Sequence, residues 1–154
     1  MRNTLYDGES VLTWLMCGDP DPGDIVVIDA DKSVTLDNDG SAVTGEGIQK
    51  TIVKRVIARE NQTVDIDFER GEVFVDGEEI FERYLTLGLT HLDEGAFTGK
   101  YPVTVPEGHV FVMGDYRSVS EDSRSAEIGF VPVESIIGKV ILRIMPFDKF
   151  GTIE

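Results

Sequence analysis

Residues 51–57 read TIVKRVI, a lysine–arginine pair set among Thr, Ile and Val. β-branched side chains favour a pleated strand, on which successive residues point to opposite faces. On that alternation Lys54 shares a face with Ile52 and Val56, and Arg55 falls with Val53 and Ile57. If the Ile52–Val56 face is the buried one, an ammonium has been sent where its charge is disfavoured. A strand lysine commonly snorkels to water at an edge, which is the plain reading. The alternative is a desolvated amine acting as a general base toward a serine hydroxyl. Free lysine titrates at ~10.4, so that role needs burial or a cationic neighbour to bring the value down. Arg55 is assigned to the opposite face, which leaves most of the work to burial.

Outward from this stretch the pattern is strand after strand. The alternation predicts strands at 10–16, 24–29, 33–36, 51–58, 63–68, 72–75, 109–113 and 138–144. Turn signals divide them: GDPDPGD at 18–24, DNDG at 37–40, RG at 70–71, VDG at 75–77 and PEG at 106–108. EEIFERYL (78–85) leaves room for one turn of helix, and VPVESII (131–137) for another short one. The expectation is a mainly β fold, a sandwich or barrel of antiparallel sheets. Residues 1–154 read as one unit, with 60–105 as an inserted β excursion.

The composition narrows the function. With 154 residues, 41% of them hydrophobic, the chain is long enough for a real core. Its net charge of −15, from 29 acidic against 14 basic residues, argues against nucleic acid and against anionic lipid as partners of the surface as a whole. Cys17 is the only cysteine, so no intrachain disulfide is expected. No apolar run approaches the ~20 residues of a membrane span, and the opening MRNTLYDGES lacks the apolar stretch of a signal peptide. A soluble piece is expected.

Metal chemistry finds little support. His91 and His109 are isolated, and one cysteine cannot build a zinc site. TLDNDGSAVTGE (35–46) approaches a calcium-loop pattern with Asp37, Asp39, Gly40 and Glu46 in register. Thr35 at the first ligand position and the lack of flanking helices favour a plain turn. No metal and no organic cofactor is expected.

The second informative stretch is GDYRSVSEDSR, Gly114–Arg124. It follows the predicted strand HVFVM and interleaves Asp115, Arg117, Asp122 and Arg124 with three serines. A solvated polar loop is the plain reading. So dense a mix of opposite charges also suits a self-satisfied hydrogen-bond network that holds a loop rigid beside a site. A hydroxyl such as Ser120 would then be placed to orient a lysine amine.

Together these stretches resemble the type I signal peptidases, membrane-anchored serine proteases that remove signal peptides from exported proteins. Lys54–Ile57 matches the family's K-R-V-[IV] box. Gly114–Arg124 matches its G-D-N-R-x-x-S-x-D-S-R box, with Tyr116 in place of Asn. GDIVVI (23–28), TVDIDFERGEVFVDGEEIFERYL, TVPEGHVFVMGD and IIGKVILRIMPFDKFGTI are similar to further family segments in the same order. The resemblance implies that Lys54 is the general base and Ser120 the hydroxyl that orients it. Asp122 and Arg124 become a supporting pair near the base, and Asp115 is expected to meet Arg55. The strand at the lysine would bind substrate backbone by strand addition, with Met1, Leu5 and Val53 at pockets for the small residues of an A-x-A cleavage signature. Signal peptides of exported preproteins would be the partners, on the outer face of the cytoplasmic membrane. An exposed apolar patch near the chain's start, carrying residues such as Trp14 or Leu15, is expected to meet the bilayer.

The departure lies at the nucleophile. The family's first box reads S-M-x-P-T-L; Met1, Thr4 and Leu5 align with it, Asn3 replaces the proline, and the serine would precede Met1. The upstream oxyanion donor and the membrane anchor would precede it too. Either the chain is a fragment starting just after the nucleophile, the favoured reading, or it never had one. As given, the polypeptide is expected not to cleave by the family's route. Two alternatives stand beside the peptidase: a self-cleaving repressor-type Ser/Lys protease, and a non-catalytic module that binds exported peptides.

Overall fold

The computed structural model describes residues 1, 4–15, 19–85 and 89–153. Asn3, Met16 and Cys17, on which parts of the sequence reading fall, lie outside the described residues. The described chain is built mainly from strands. In chain order they are β1 (Ser10–Leu15), β2 (Ile25–Asp29), β3 (Lys32–Leu36), β4 (Ala42–Glu46), β5 (Thr51–Arg59) and β6 (Thr63–Asp67). There follow β7 (Glu72–Val75), β8 (Glu78–Glu79), β9 (Val103–Thr104), β10 (His109–Met113), β11 (Val131–Pro132) and β12 (Ile136–Met145).

Six of these form one sheet in the order β1-β12-β2-β5-β10-β11, four form a second in the order β8-β7-β6-β9, and β3 and β4 make a hairpin. The paired strands run antiparallel throughout, as a mainly β reading requires. Asp37 turns the β3–β4 hairpin by accepting hydrogen bonds from the backbone of Asp39 and Ser41. The 78–85 stretch supplies β8 rather than a turn of helix, while Val133–Ser135 does form a short 3-10 turn.

β5 is an interior strand, and each face of its sheet is covered. Val56 joins Val26, Ile28, Val110, Val112 and Ile128 in one buried cluster. Ile57 and Ala58 join Phe111, Met113, Phe97, Phe130 and the second sheet's Val64, Ile66 and Val73 in the other. The alternation slips because Phe111 pairs with Ala58 and Val112 with Val56, leaving Ile57 as an extra residue. Such a β-bulge sends two neighbours toward the same core. Phe97 is the hub of that core, with its ring centroid 4.5 Å from Phe130 and 6.2 Å from Phe111.

Candidate active site

Antiparallel pairing of β5 and β10 ends at Arg55 opposite Met113. The Gly114–Arg124 loop therefore leaves the sheet directly beside Lys54. Strict alternation assigns Lys54 and Arg55 to opposite faces. Both are in fact enclosed, at 9% and 3% exposure, because both faces of this sheet are covered.

Gly114 is the point of closest approach. A Cβ added there would run into Ser120 Oγ and would stand 3.7 Å from Lys54 Nζ. Glycine thus lets the hydroxyl and the amine crowd the same backbone atom. Ser120 Oγ is buried and, among the described residues, has no hydrogen-bond partner. It nevertheless lies close enough to Asp122 to favour that carboxylate's ionised form. No ion pair of Lys54 is found among the described residues. Burial pushes the Lys54 pKa below the ordinary lysine range; the carboxylates of Asp122, Glu121 and Glu94 pull upward without prevailing, and Arg124 adds to the depression.

Two buried ion pairs brace this arrangement. Arg124 donates to both Asp122 oxygens, Nε to Oδ1 at 2.8 Å and Nη2 to Oδ2 at 2.9 Å, and its remaining donors reach the carbonyls of Leu92, Arg117 and Ser120. The Gly114 N–H donates to Asp122 at 3.0 Å. Burial alone would raise the Asp122 pKa, but Arg124 and this N–H outweigh it and hold the carboxyl below its usual range. Arg55 donates to Asp115 through Nε at 3.0 Å and Nη2 at 2.9 Å, and through Nη1 to the Gly23 carbonyl at 2.8 Å. Such forked, charge-assisted bonds fix orientation as well as distance.

The chain's start reaches the same place. Thr4 Oγ1 donates to Asp115 Oδ2, and the Thr4 carbonyl accepts from Arg143 on β12. The N–H groups of Thr4 and Leu5 both donate to the Met1 carbonyl at 2.8 Å, closing a turn. Met1, Leu5 and Val53 are half-buried. From Thr51 to Lys54, β5 is paired with β2 along one side, and its other side carries no strand among the described residues, since β10 stops at Met113. That edge of β5 is left unpaired by the described strands.

Several participants went unread in the sequence. Glu94 is half-buried near Lys54, Asp122 and Arg124, and burial pushes its carboxyl upward. Glu82, Tyr84 and Thr90 contact the two arginines Arg55 and Arg117. Their contacts span tens of residues, so no local spacing announces them. Among the described residues no group of His, Cys, Asp and Glu is placed to hold a metal ion, and no helix is long and apolar enough to cross a membrane.

Comparison with known proteins points the same way as the two motifs. Residues 1–145 match the family described as "Signal peptidase, peptidase S26". A probable signal peptidase I-1 of Synechocystis is 34% identical over 132 residues, covering 86% of this chain and 58% of that protein. Signal peptidase IB of Staphylococcus aureus is 31% identical over 164 residues, 97% of this chain and 75% of the relative. A crystal structure of a signal peptidase I from Enterococcus faecalis superposes with a TM-score of 0.55 at 23% identity, over 80% of this chain and 98% of that one, and so shares the fold. The chain belongs to the signal peptidase family.

Proposed function

We propose that this domain is the catalytic part of a serine endopeptidase that removes signal peptides from exported preproteins. In this reading a serine directly ahead of Met1 attacks the carbonyl after a small residue. Lys54 takes its proton and returns it to the leaving amine, and Ser120 orients the lysine. The substrate lies along the open edge at Thr51–Lys54, between Val53 and the Met1–Leu5 turn. Residues 60–105 form an insertion that backs the site. One observation carries the proposal: the Lys54 amine, buried and free of any described ion pair, lies against Gly114 together with the unsatisfied hydroxyl of Ser120.

The domain would work at the outer face of the cytoplasmic membrane. Trp14 and Leu15 on β1 are 66% and 73% exposed, and Leu12, Ile141, Met145 and Phe147 are exposed on the same and the neighbouring strand or just beyond it. Apolar surface of this kind suits contact with lipid. The test places a serine ahead of Met1 and supplies a peptide with an A-x-A signature. Cleavage that disappears in Lys54→Ala supports the reading. Cleavage that survives Lys54→Ala removes the lysine from its role, and binding without any cleavage favours a peptide-holding module.

A further inference from the structure

We propose that Glu82 and Tyr84, carried by the segment after β8, are positioning residues that clamp the Lys54 site through its two flanking arginines. The inference rests on the peptidase reading for its consequence in catalysis, but not for its geometry. Arg117 is buried in the Gly114–Arg124 loop, and its side chain is fully enclosed, as is nearly all of Glu82. The guanidinium donates from Nη1 to Glu82 Oε2 at 2.8 Å and from Nη2 to Glu82 Oε1. It also donates from Nη1 to Thr90 Oγ1 at 2.6 Å. Its Nε donates to the Gly114 carbonyl at 3.2 Å, and Gly114 is the residue against which Ser120 and Lys54 crowd.

Tyr84 closes the circuit. Its hydroxyl donates to Glu82 Oε1 at 2.5 Å, and the Arg55 guanidinium stacks on its ring, 3.9 Å from the centroid. Arg55 in turn holds Asp115, the residue after Gly114. Glu82, Arg117, Gly114, Asp115, Arg55 and Tyr84 therefore form a ring of contacts around the short backbone segment that roofs the amine. A planar guanidinium on an aromatic face and a forked guanidinium–carboxylate pair are both rigid unions. Were the segment only covering the core, an apolar side chain would serve as well as Glu82 at this depth.

The chemical consequence is dryness. Lys54 lies within the electrostatic reach of Asp122, Glu121, Glu94 and Arg124, and the three carboxylates would restore its proton if water entered and the loop relaxed. Releasing the clamp should therefore raise the lysine's titration midpoint and slow the step in which it acts as base, with little effect on substrate capture.

The experiment follows the Lys54 ammonium by nitrogen-resolved NMR across pH, with cleavage kinetics in the serine-bearing chain alongside. Two variants are compared with the parent: Tyr84→Leu, and the paired Glu82→Leu/Arg117→Met, which removes both charges of the buried pair rather than stranding one. The expected result in both is a midpoint higher by about one pH unit, toward the ~10.4 of free lysine, with kcat lower by about tenfold and KM little changed. Tyr84→Phe, which keeps the ring beneath Arg55, should move the midpoint less than Tyr84→Leu. An unchanged midpoint in both folded variants overturns the clamp, whatever happens to melting temperature. A parent that cuts no signal peptide while the midpoint still moves supports the clamp and overturns the peptidase reading instead.

Discussion

A lysine enclosed by Gly114, Ser120 and the Asp122–Arg124 pair holds its proton less tightly than the same lysine in an unfolded chain. Between the two midpoints the unfolded chain binds more protons, so the stability of the fold rises with pH across that window. Below the depressed midpoint the cost of charging Lys54 is complete, and above ~10.4 it has vanished. Lys54→Met should accordingly melt at a higher temperature than the parent at pH 7. The advantage should fade as the pH approaches 10 to 11. An advantage of the same size at both ends, seen by calorimetry, would assign the gain to packing instead. In the proposed peptidase reading, activity runs with the same group: a base works only when neutral, so cleavage should climb on the alkaline side of neutrality.

At the scale of the elements, the Gly114–Arg124 loop depends on charges that water does not reach. Asp122 and Arg124 have side chains with no exposure at all, so removing one charge strands the other. Asp122→Asn should lower the unfolding free energy by about 3–5 kcal/mol, read from the denaturant midpoint at neutral pH. Asp122 is held below its ordinary range, so its contribution is present above ~4 and fades as the pH falls through the folded value. The variant should therefore lose much of the parent's acid-unfolding transition. Much of this element was legible beforehand, since interleaved acids and arginines after HVFVM announce a network. The strands at 72–75 and 109–113 were legible to the residue as well. β4 was not, because it is exposed from end to end and carries no apolar alternation to read. β8, β9 and β11 are two residues each, too short to show any period. Ile57 broke the alternation by bulging, and only the paired strand reveals a bulge. Nor did anything near Glu82 point to Arg117, 35 residues further on.

For the whole molecule, charge and apolar surface pull apart. A net charge of −15 disfavours anionic headgroups, while the β1–β12 edge offers Leu12, Trp14, Leu15 and Ile141 to its surroundings. The domain should therefore associate with vesicles of zwitterionic lipid in preference to acidic ones. Trp14 is the only tryptophan, so its fluorescence should shift to the blue on binding. Leu12→Ser/Leu15→Ser should remove that shift and leave the melting temperature within a degree or two of the parent. A shift that persists in the double variant would place lipid contact elsewhere.

The interior position of β5 gives the amine a further property. The strand cannot carry it outward without parting from two cores, since Val56 belongs to one and Ile57 and Ala58 to the other. Electrophilic reagents must therefore reach Lys54 past the Gly114–Arg124 loop, and should label it more slowly than the surface lysines. Its acylation rate would then serve as a clock for opening of that loop, readable residue by residue in a mass spectrum.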